Sequence, residues 1–486
     1  MKRIAMMALL LFGSAAADAQ IDIIGWNMPT GSGIPSGFDT TIEPYIDGVT
    51  IPITWESTCV LPCTSTSGYT FAAFYTSILP YISGMYSTCG KSLPGRGAGH
   101  PCIINIDARP VSNPTINSDT PTWVFSTAWA GSNPPVDAAF CGTLGGTMGY
   151  PGSTPAGGTD PAPPYDTSGN VSSGNCGGMG GTLACTVATI ATGIPAVWEY
   201  PYQQAVQGWW TALIAWASNS TTAGLSQIDY IRFGFSIGSE ATINCTQSLE
   251  NAAGGGDALM KSKWLGAYAT AASYISSQRS LQSPVPRWVP MMTVNMGQSL
   301  TSYPGGTDPS WTIGEAQTIL ANQPFAIGTQ GLENGTPGTP PVLTSDLLDI
   351  QLWNTCTGAN CCSDNWCNVR QMVIGQVPYI ELQDCNISLA GGGNTNCLDS
   401  QDAGTGARAQ TLSQVFVLSS EQGTTSAEIY YQDLQCAVGI SSATNCTAGI
   451  VPPAYLAAIT ALAAGQPPAA ASLVGAARAT GGVQIF

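Results

Sequence analysis

Short apolar runs rich in β-branched and aromatic residues alternate along this chain with longer stretches whose apolar residues recur at helical spacing. Tyr45-Ile-Asp-Gly-Val-Thr-Ile-Pro-Ile-Thr-Trp-Glu56 predicts a strand. Phe71, Phe74, Tyr75, Ile78 and Leu79 then fall at i, i+3, i+4, i+7 and i+8, which predicts a helix over 69–85. Pro101-Cys-Ile-Ile-Asn-Ile-Asp107-Ala-Arg109 predicts a second strand, with its polar residues at the C-terminal end. Strand, helix, strand implies parallel pairing. The rhythm resumes after residue 190. Strands are expected at 194–200, 228–240, 288–295, 324–330, 377–381 and 427–433, and helices at 202–218, 257–277 and 311–322, within 345–375, and at 412–418 and 453–464. Eight strands alternating with helices in one chain predict an α/β fold, a single (β/α)8 barrel. An open doubly wound sheet is the alternative, but the turn after Trp55 lacks the Gly-rich phosphate loop such sheets carry.

Residues 20–44 read as a Gly- and Pro-rich lead-in containing Trp26. Residues 110–190 are dense in Gly, Pro, Ser, Thr and Asn, too long for an ordinary connection, and predict an insertion over the active face. Residues 1–19 have the order of a signal peptide: Lys2 and Arg3, the apolar run Ile4 to Phe12, then Ala17-Asp18-Ala19 as a cleavage site. The expected mature domain is therefore 20–486, exported to an extracellular or periplasmic space. The run is too short to span a bilayer, and no later one is long enough, so no membrane association is expected after cleavage.

Composition narrows the partners. Of 486 residues 44% are hydrophobic and only 9% charged, and the net charge is −16. An acidic surface disfavours nucleic acid and anionic membranes, but not a neutral polymer such as a polysaccharide. Sixteen cysteines in an exported chain predict disulfides, most of them stapling loops. The spacing of Cys59 and Cys63, and of Cys356, Cys361, Cys362 and Cys367, would also suit a metal. With His100 the only histidine, no metal and no cofactor is expected. A Ser-His-Asp hydrolase is disfavoured for the same reason.

Candidate chemistry lies where polar residues close apolar strands. Ile228 to Ile237 leads into Gly238-Ser239-Glu240, and Val377-Pro-Tyr-Ile leads into Glu381. In a parallel barrel the carboxyl ends of the strands face the active site. Two glutamates there are the minimum equipment for cleaving a glycosidic bond. With the strands so placed, the pattern resembles the large clan of retaining (β/α)8 glycoside hydrolases. These carry the acid/base Glu at the end of strand four and the nucleophile Glu at the end of strand seven. "YIDGVTIPITWE", "GYTFAAFYTSILPYI" and "IPAVWEYPYQQAVQGWW" look like the clan's first strand, first helix, and third strand exit with its helix.

The resemblance implies Glu240 as acid/base and Glu381 as nucleophile of a secreted retaining glycosidase acting on a polysaccharide or oligosaccharide. It implies that Arg109, at the end of strand two, orients the nucleophile, and that Tyr430 or Tyr431 replaces a Trp platform. Ser239 stands where many members have the Asn that binds the sugar 2-hydroxyl. Gln330 or Gln383 could orient Glu381, and Asn295 could donate to a sugar hydroxyl. Trp55, Trp123, Trp198 and Trp353 could stack on sugar faces, though each also suits a core. An ion pair of Arg109 with Asp107 or Asp47 is the alternative for that arginine. Two other functions stay open: a barrel that binds carbohydrate without cleaving it, and a disulfide-rich surface protein.

Overall fold

A computed structural model describes residues 22–33, 42–43, 46–60, 63, 68–88, 103–111, 119–121, 124, 138–144, 147–149, 174–175, 184–185, 193–195, 197–219, 222, 225, 228–235, 239, 257–294, 309–332, 372–373, 376–384, 425–431 and 434. Eight strands form a closed barrel: β1 (Asp22–Trp26), β2 (Gly48–Thr54), β3 (Ile103–Arg109), β4 (Ile228–Phe233), β5 (Val289–Thr293), β6 (Ala326–Leu332), β7 (Ile380–Asp384) and β8 (Ser426–Tyr430). Each is parallel to both neighbours, and β8 pairs with β1 to close the ring. Helices α1 (Ala72–Thr88), α2 (Tyr200–Ala217), α3 (Asp257–Ser280) and α4 (Pro309–Ala321) occupy four successive connections, from β2 to β6. The fold is a (β/α)8 barrel. Among the described residues no helix is long and apolar enough to cross a membrane.

Two strands differ from the sequence expectation. The lead-in contains β1, so the strand expected first is the second. DIIGW is short and carries a glycine, which weakens its strand signal. Gly25 is needed there, because a Cβ would lie 2.8 Å from the Met28 sulfur and 3.2 Å from Leu434. The strand expected third, at 194–200, is not in the barrel. Gly193–Pro195 pairs antiparallel with Ala138–Leu144, which also pairs with Thr147–Gly149. Its apolar run continues into the start of α2, with Glu199 as N-cap and a proline in the first turn. An apolar run this short cannot be told from a helix entry by periodicity. The two errors cancel, so residues 228–233 are still strand four, 380–384 strand seven and 426–430 strand eight.

The strands are buried on both faces, as a parallel sheet between a filled interior and a helical layer requires. The outer face carries the larger core. Trp55, in the short helix Trp55–Thr58 after β2, stacks on Trp209 of α2 with ring centres 5.9 Å apart. Phe235 packs edge-on against Trp264 and Tyr268 of α3, and Trp264 against Trp311 of α4. Two buried donors in this layer are satisfied: Trp209 donates to Thr58 Oγ1 at 2.9 Å and Trp264 to Glu315 Oε1 at 3.0 Å, whereas the indole N–H groups of Trp210, Trp288 and Trp311 have no partner among the described residues. Cys59 and Cys63 form a disulfide across the turn that follows the short helix, closing one of the two spacings that would have suited a metal.

The barrel wall tolerates little added volume. Gly48 pairs with Ile24 and Ile103, and a Cβ on it would meet Ile103 Cβ and backbone oxygen at 2.6 Å. Gly48→Ala should therefore destabilise the protein by about 1–3 kcal/mol through overpacking. Denaturant unfolding measures this, and an unchanged midpoint would contradict the tight β1–β2–β3 seam.

Candidate active site in the barrel interior

The strands place every second residue inside the barrel, so inward positions can be followed by parity. Around the ring, β2 contributes Thr50, β3 contributes Asn105 and Asp107, and β4 contributes Tyr230 and Arg232. Opposite them, β7 contributes Glu381 and Gln383, and β8 contributes Ser426 and Glu428. Such interiors are ordinarily filled by branched apolar side chains. Apolar filling here includes a small cluster of Tyr230, Val289, Met291 and Ala326, with Tyr379 against it.

A buried cation organises the polar remainder. Arg232 is fully buried, and its Nη2 donates to Glu381 Oε2 at 3.0 Å and to Glu428 Oε2. Both carboxylates are also fully buried. The guanidinium lies over the Trp26 ring, 4.2 Å from its centre. Glu428 Oε1 accepts from Thr50 Oγ1 and from the Tyr230 hydroxyl, each at 2.7 Å. Three strands besides β4 thus supply direct partners to one positive charge, and Thr50 of β2 holds one of those partners. Desolvation alone would lower the Arg232 pKa, but Glu428, Glu381 and Asp107 together hold it well above the usual arginine value. The Tyr230 pKa is pushed up by burial and further by Glu428 and Glu381, so this hydroxyl keeps its proton and remains a donor.

Toward the carboxyl ends of the strands lies a second polar set. Arg109 Nε donates to Asp107 Oδ2 at 2.5 Å and its Nη2 to Asn27 Oδ1 at 3.3 Å. Its guanidinium is 5.5 Å from the centre of the Trp26 ring, so Trp26 lies beside both arginines. Asp107 Oδ1 and Gln383 Nε2 are buried and lack a hydrogen-bond partner among the described residues.

The expected site residues divide as follows. Glu381 does not close its strand: β7 continues to Asp384, and Glu381 is its second residue, opposite Gly328 and Ser426. Among the described residues the cation shown paired with it is Arg232. Arg109 takes the alternative weighed for it, the pair with Asp107. Counting from β1 also places Arg109 on strand three, so its match to the clan's strand-two arginine does not hold. Trp55 is a correction too: it is fully buried against Trp209, Tyr202 and Tyr69, where no sugar can stack. Tyr430 ends β8 half-buried, in register with Trp26, and Tyr431 is buried. Ser239 is buried in a turn. Gln330 contributes backbone to β6. Glu240 and Asn295 lie outside the described residues, as do Trp123 and Trp353.

Sequence reasoning missed Arg232 and Glu428 as site residues. The signal was present: a charged residue in the middle of a strand buried along its whole length has to meet an opposite charge inside. Among the described residues no group of three or more His, Cys, Asp or Glu is arranged to hold a metal ion.

No family model and no curated protein matches the sequence. Solved structures with a related arrangement include a glucosidase from Croceicoccus marinus, at 9% identity and a TM-score of 0.34, over 92% of this chain and 67% of that one. An isomaltulose synthase from Erwinia rhapontici NX5 aligns at 12% identity and a TM-score of 0.38, over 85% of this chain and 64% of its own, less than two thirds of its length. Likeness at this level carries no argument about chemistry.

Two outcomes follow from the geometry. Arg232→Met leaves two buried carboxylates without their cation and should cost about 3–5 kcal/mol in denaturant unfolding; a loss under about 1 kcal/mol would mean water already reaches the pair. Trp55→Ala should cost about 3–5 kcal/mol of stability. A sugar-stacking residue would instead weaken substrate binding with the unfolding midpoint unchanged.

Proposed function

We propose that the chain is an exported glycoside hydrolase that cleaves neutral oligosaccharide or polysaccharide with retention of configuration. The observation that carries this reading is Glu381, a carboxylate inside the barrel on strand seven, held against the Arg232 guanidinium at 3.0 Å. An adjacent cation favours the ionised form, which a nucleophile needs. Glu240 follows strand four, and an apolar strand leading to it suits a carboxyl that must stay protonated. In the first step Glu240 gives its proton to the glycosidic oxygen while Glu381 attacks the anomeric carbon, and the aglycone leaves. In the second, Glu240 takes a proton from water, whose oxygen displaces Glu381 and restores the original configuration. The strongly acidic, weakly charged composition fits a neutral polymer as substrate. The order of residues 1–19 supports export.

The complete burial of Glu381 and Arg232 favours one other reading. In it the pair is structural, and the barrel binds carbohydrate without cleaving it. A saturable binding isotherm with no product release would select that reading.

Screening the mature protein against chromogenic glycosides and dyed polysaccharides comes first. On any substrate cleaved, Glu240→Gln should lower kcat by about 10²–10⁴-fold. Glu381→Gln should abolish turnover, and azide should restore activity to Glu381→Gly with an inverted glycosyl azide as product. Full activity in both Gln variants would remove the assignment.

A further inference from the structure

Glu428 plays no part in the two steps above, yet it has three side-chain partners, Thr50, Tyr230 and Arg232. It sits on β8, accepts from Thr50 of β2 and Tyr230 of β4, and shares the same Arg232 nitrogen that Glu381 uses. Gln383, two residues beyond Glu381 and on the same face, is in register with Glu428. A guanidinium normally offers separate N–H groups to separate carboxylates. Here Nη2 serves both, while Nε and Nη1 have no partner among the described residues. The cation is therefore divided, and the amount left for Glu381 depends on Glu428.

We propose that Glu428 is a positioning residue that fixes Arg232 between two carboxylates and thereby sets the proton affinity of Glu381. This rests on the reading of Glu381 as nucleophile for its catalytic meaning, but not for its physical content. Among the described residues the charged and titratable groups around the pair include Arg232 and Tyr230 from β4, Glu428 from β8, and Asp107 from β3 acting on Arg232. Gly328 on β6, with Thr293 and Met291 of β5 beside it, adds no charge: a Cβ on Gly328 would lie 2.6 Å from Glu381 Oε2. Glu428 shares with Glu381 the Arg232 nitrogen that both carboxylates accept from. Removing the Glu428 carboxylate leaves a larger share of Arg232 to Glu381, so its proton should bind less tightly. Removing part of the cation should do the reverse.

The test is carboxyl NMR of the full mature protein labelled with ¹³C at glutamate Cδ. The chain has ten glutamates, and the Glu381 signal is identified as the one missing from Glu381→Gln. In Glu428→Gln the Glu381 titration midpoint should fall by about one pH unit or more. In Arg232→Lys, whose shorter side chain draws the positive charge away from both carboxylates, it should rise. If Glu428→Gln does not fold, the sign of the Arg232→Lys shift decides. An unchanged midpoint in a folded Glu428→Gln, or a fall in Arg232→Lys, overturns the proposal. None of this needs turnover. A wild-type protein that cleaves no glycoside would defeat the proposed function and leave this result standing. In an active protein the acid limb of kcat/KM should move with the midpoint.

Discussion

A guanidinium with no exposure to solvent cannot exist in a barrel interior unless opposite charge comes with it. Arg232 imposes that condition, and several strands have to agree to meet it. Glu381 must point inward from β7 and Glu428 from β8, Trp26 must lie beneath the guanidinium from β1, and Thr50 must hold Glu428 from β2. The side-chain period of a strand is two, so a one-residue slip in β7 would turn Glu381 out and bring Ile380 in. The buried cation therefore specifies register around the ring. Its value as net stabilisation is a separate matter, since desolvating three charged groups offsets much of their attraction.

The two faces of each strand divide the work between stability and chemistry. Outward residues of β3 to β6 join the aromatic layer built by Trp209, Trp210, Trp264, Trp288 and Trp311. That layer is predominantly apolar, and two of its indole donors, on Trp209 and Trp264, are paired. Inward residues are polar far beyond what filling a barrel requires. Phe233 faces Trp210 and Trp288, whereas its neighbour Arg232 faces Glu381 and Glu428. A single strand, Ile228–Phe233, thus fixes the helical layer with one face and holds the charge with the other.

The architecture was legible because strand and helix periods differ and because parallel strands buried on both faces read as continuous apolar runs. Helix α2 was readable within a few residues from its Val206, Trp209, Trp210, Leu213 and Ile214 stripe. Strand β1 was not, since five residues with a glycine give too little pattern. The site was half legible. Glu381 stood out as a carboxylate after an apolar run, but sequence alone could not tell a strand's end from its interior: Leu382-Gln383-Asp384 reads equally as an exit loop or as the next turn of the pleat. Its partner could not be named either. Arg109 and Arg232 are both arginines on strands, and only the closed ring shows which one lies opposite β7. Trp55 failed for a related reason, because a tryptophan after a strand can face a substrate or a helix, and here it faces α2.

The proposed function turns on a covalent bond between Glu381 and the sugar. Incubation with 2-deoxy-2-fluoroglycosides carrying a good leaving group, across several sugar configurations, followed by peptide mass spectrometry, tests it most directly. A glycoside the protein cleaves is expected to leave one fluorosugar attached to the peptide containing Glu381. An adduct on a different carboxylate, or steady turnover of the parent glycoside with no adduct under any condition, would contradict it.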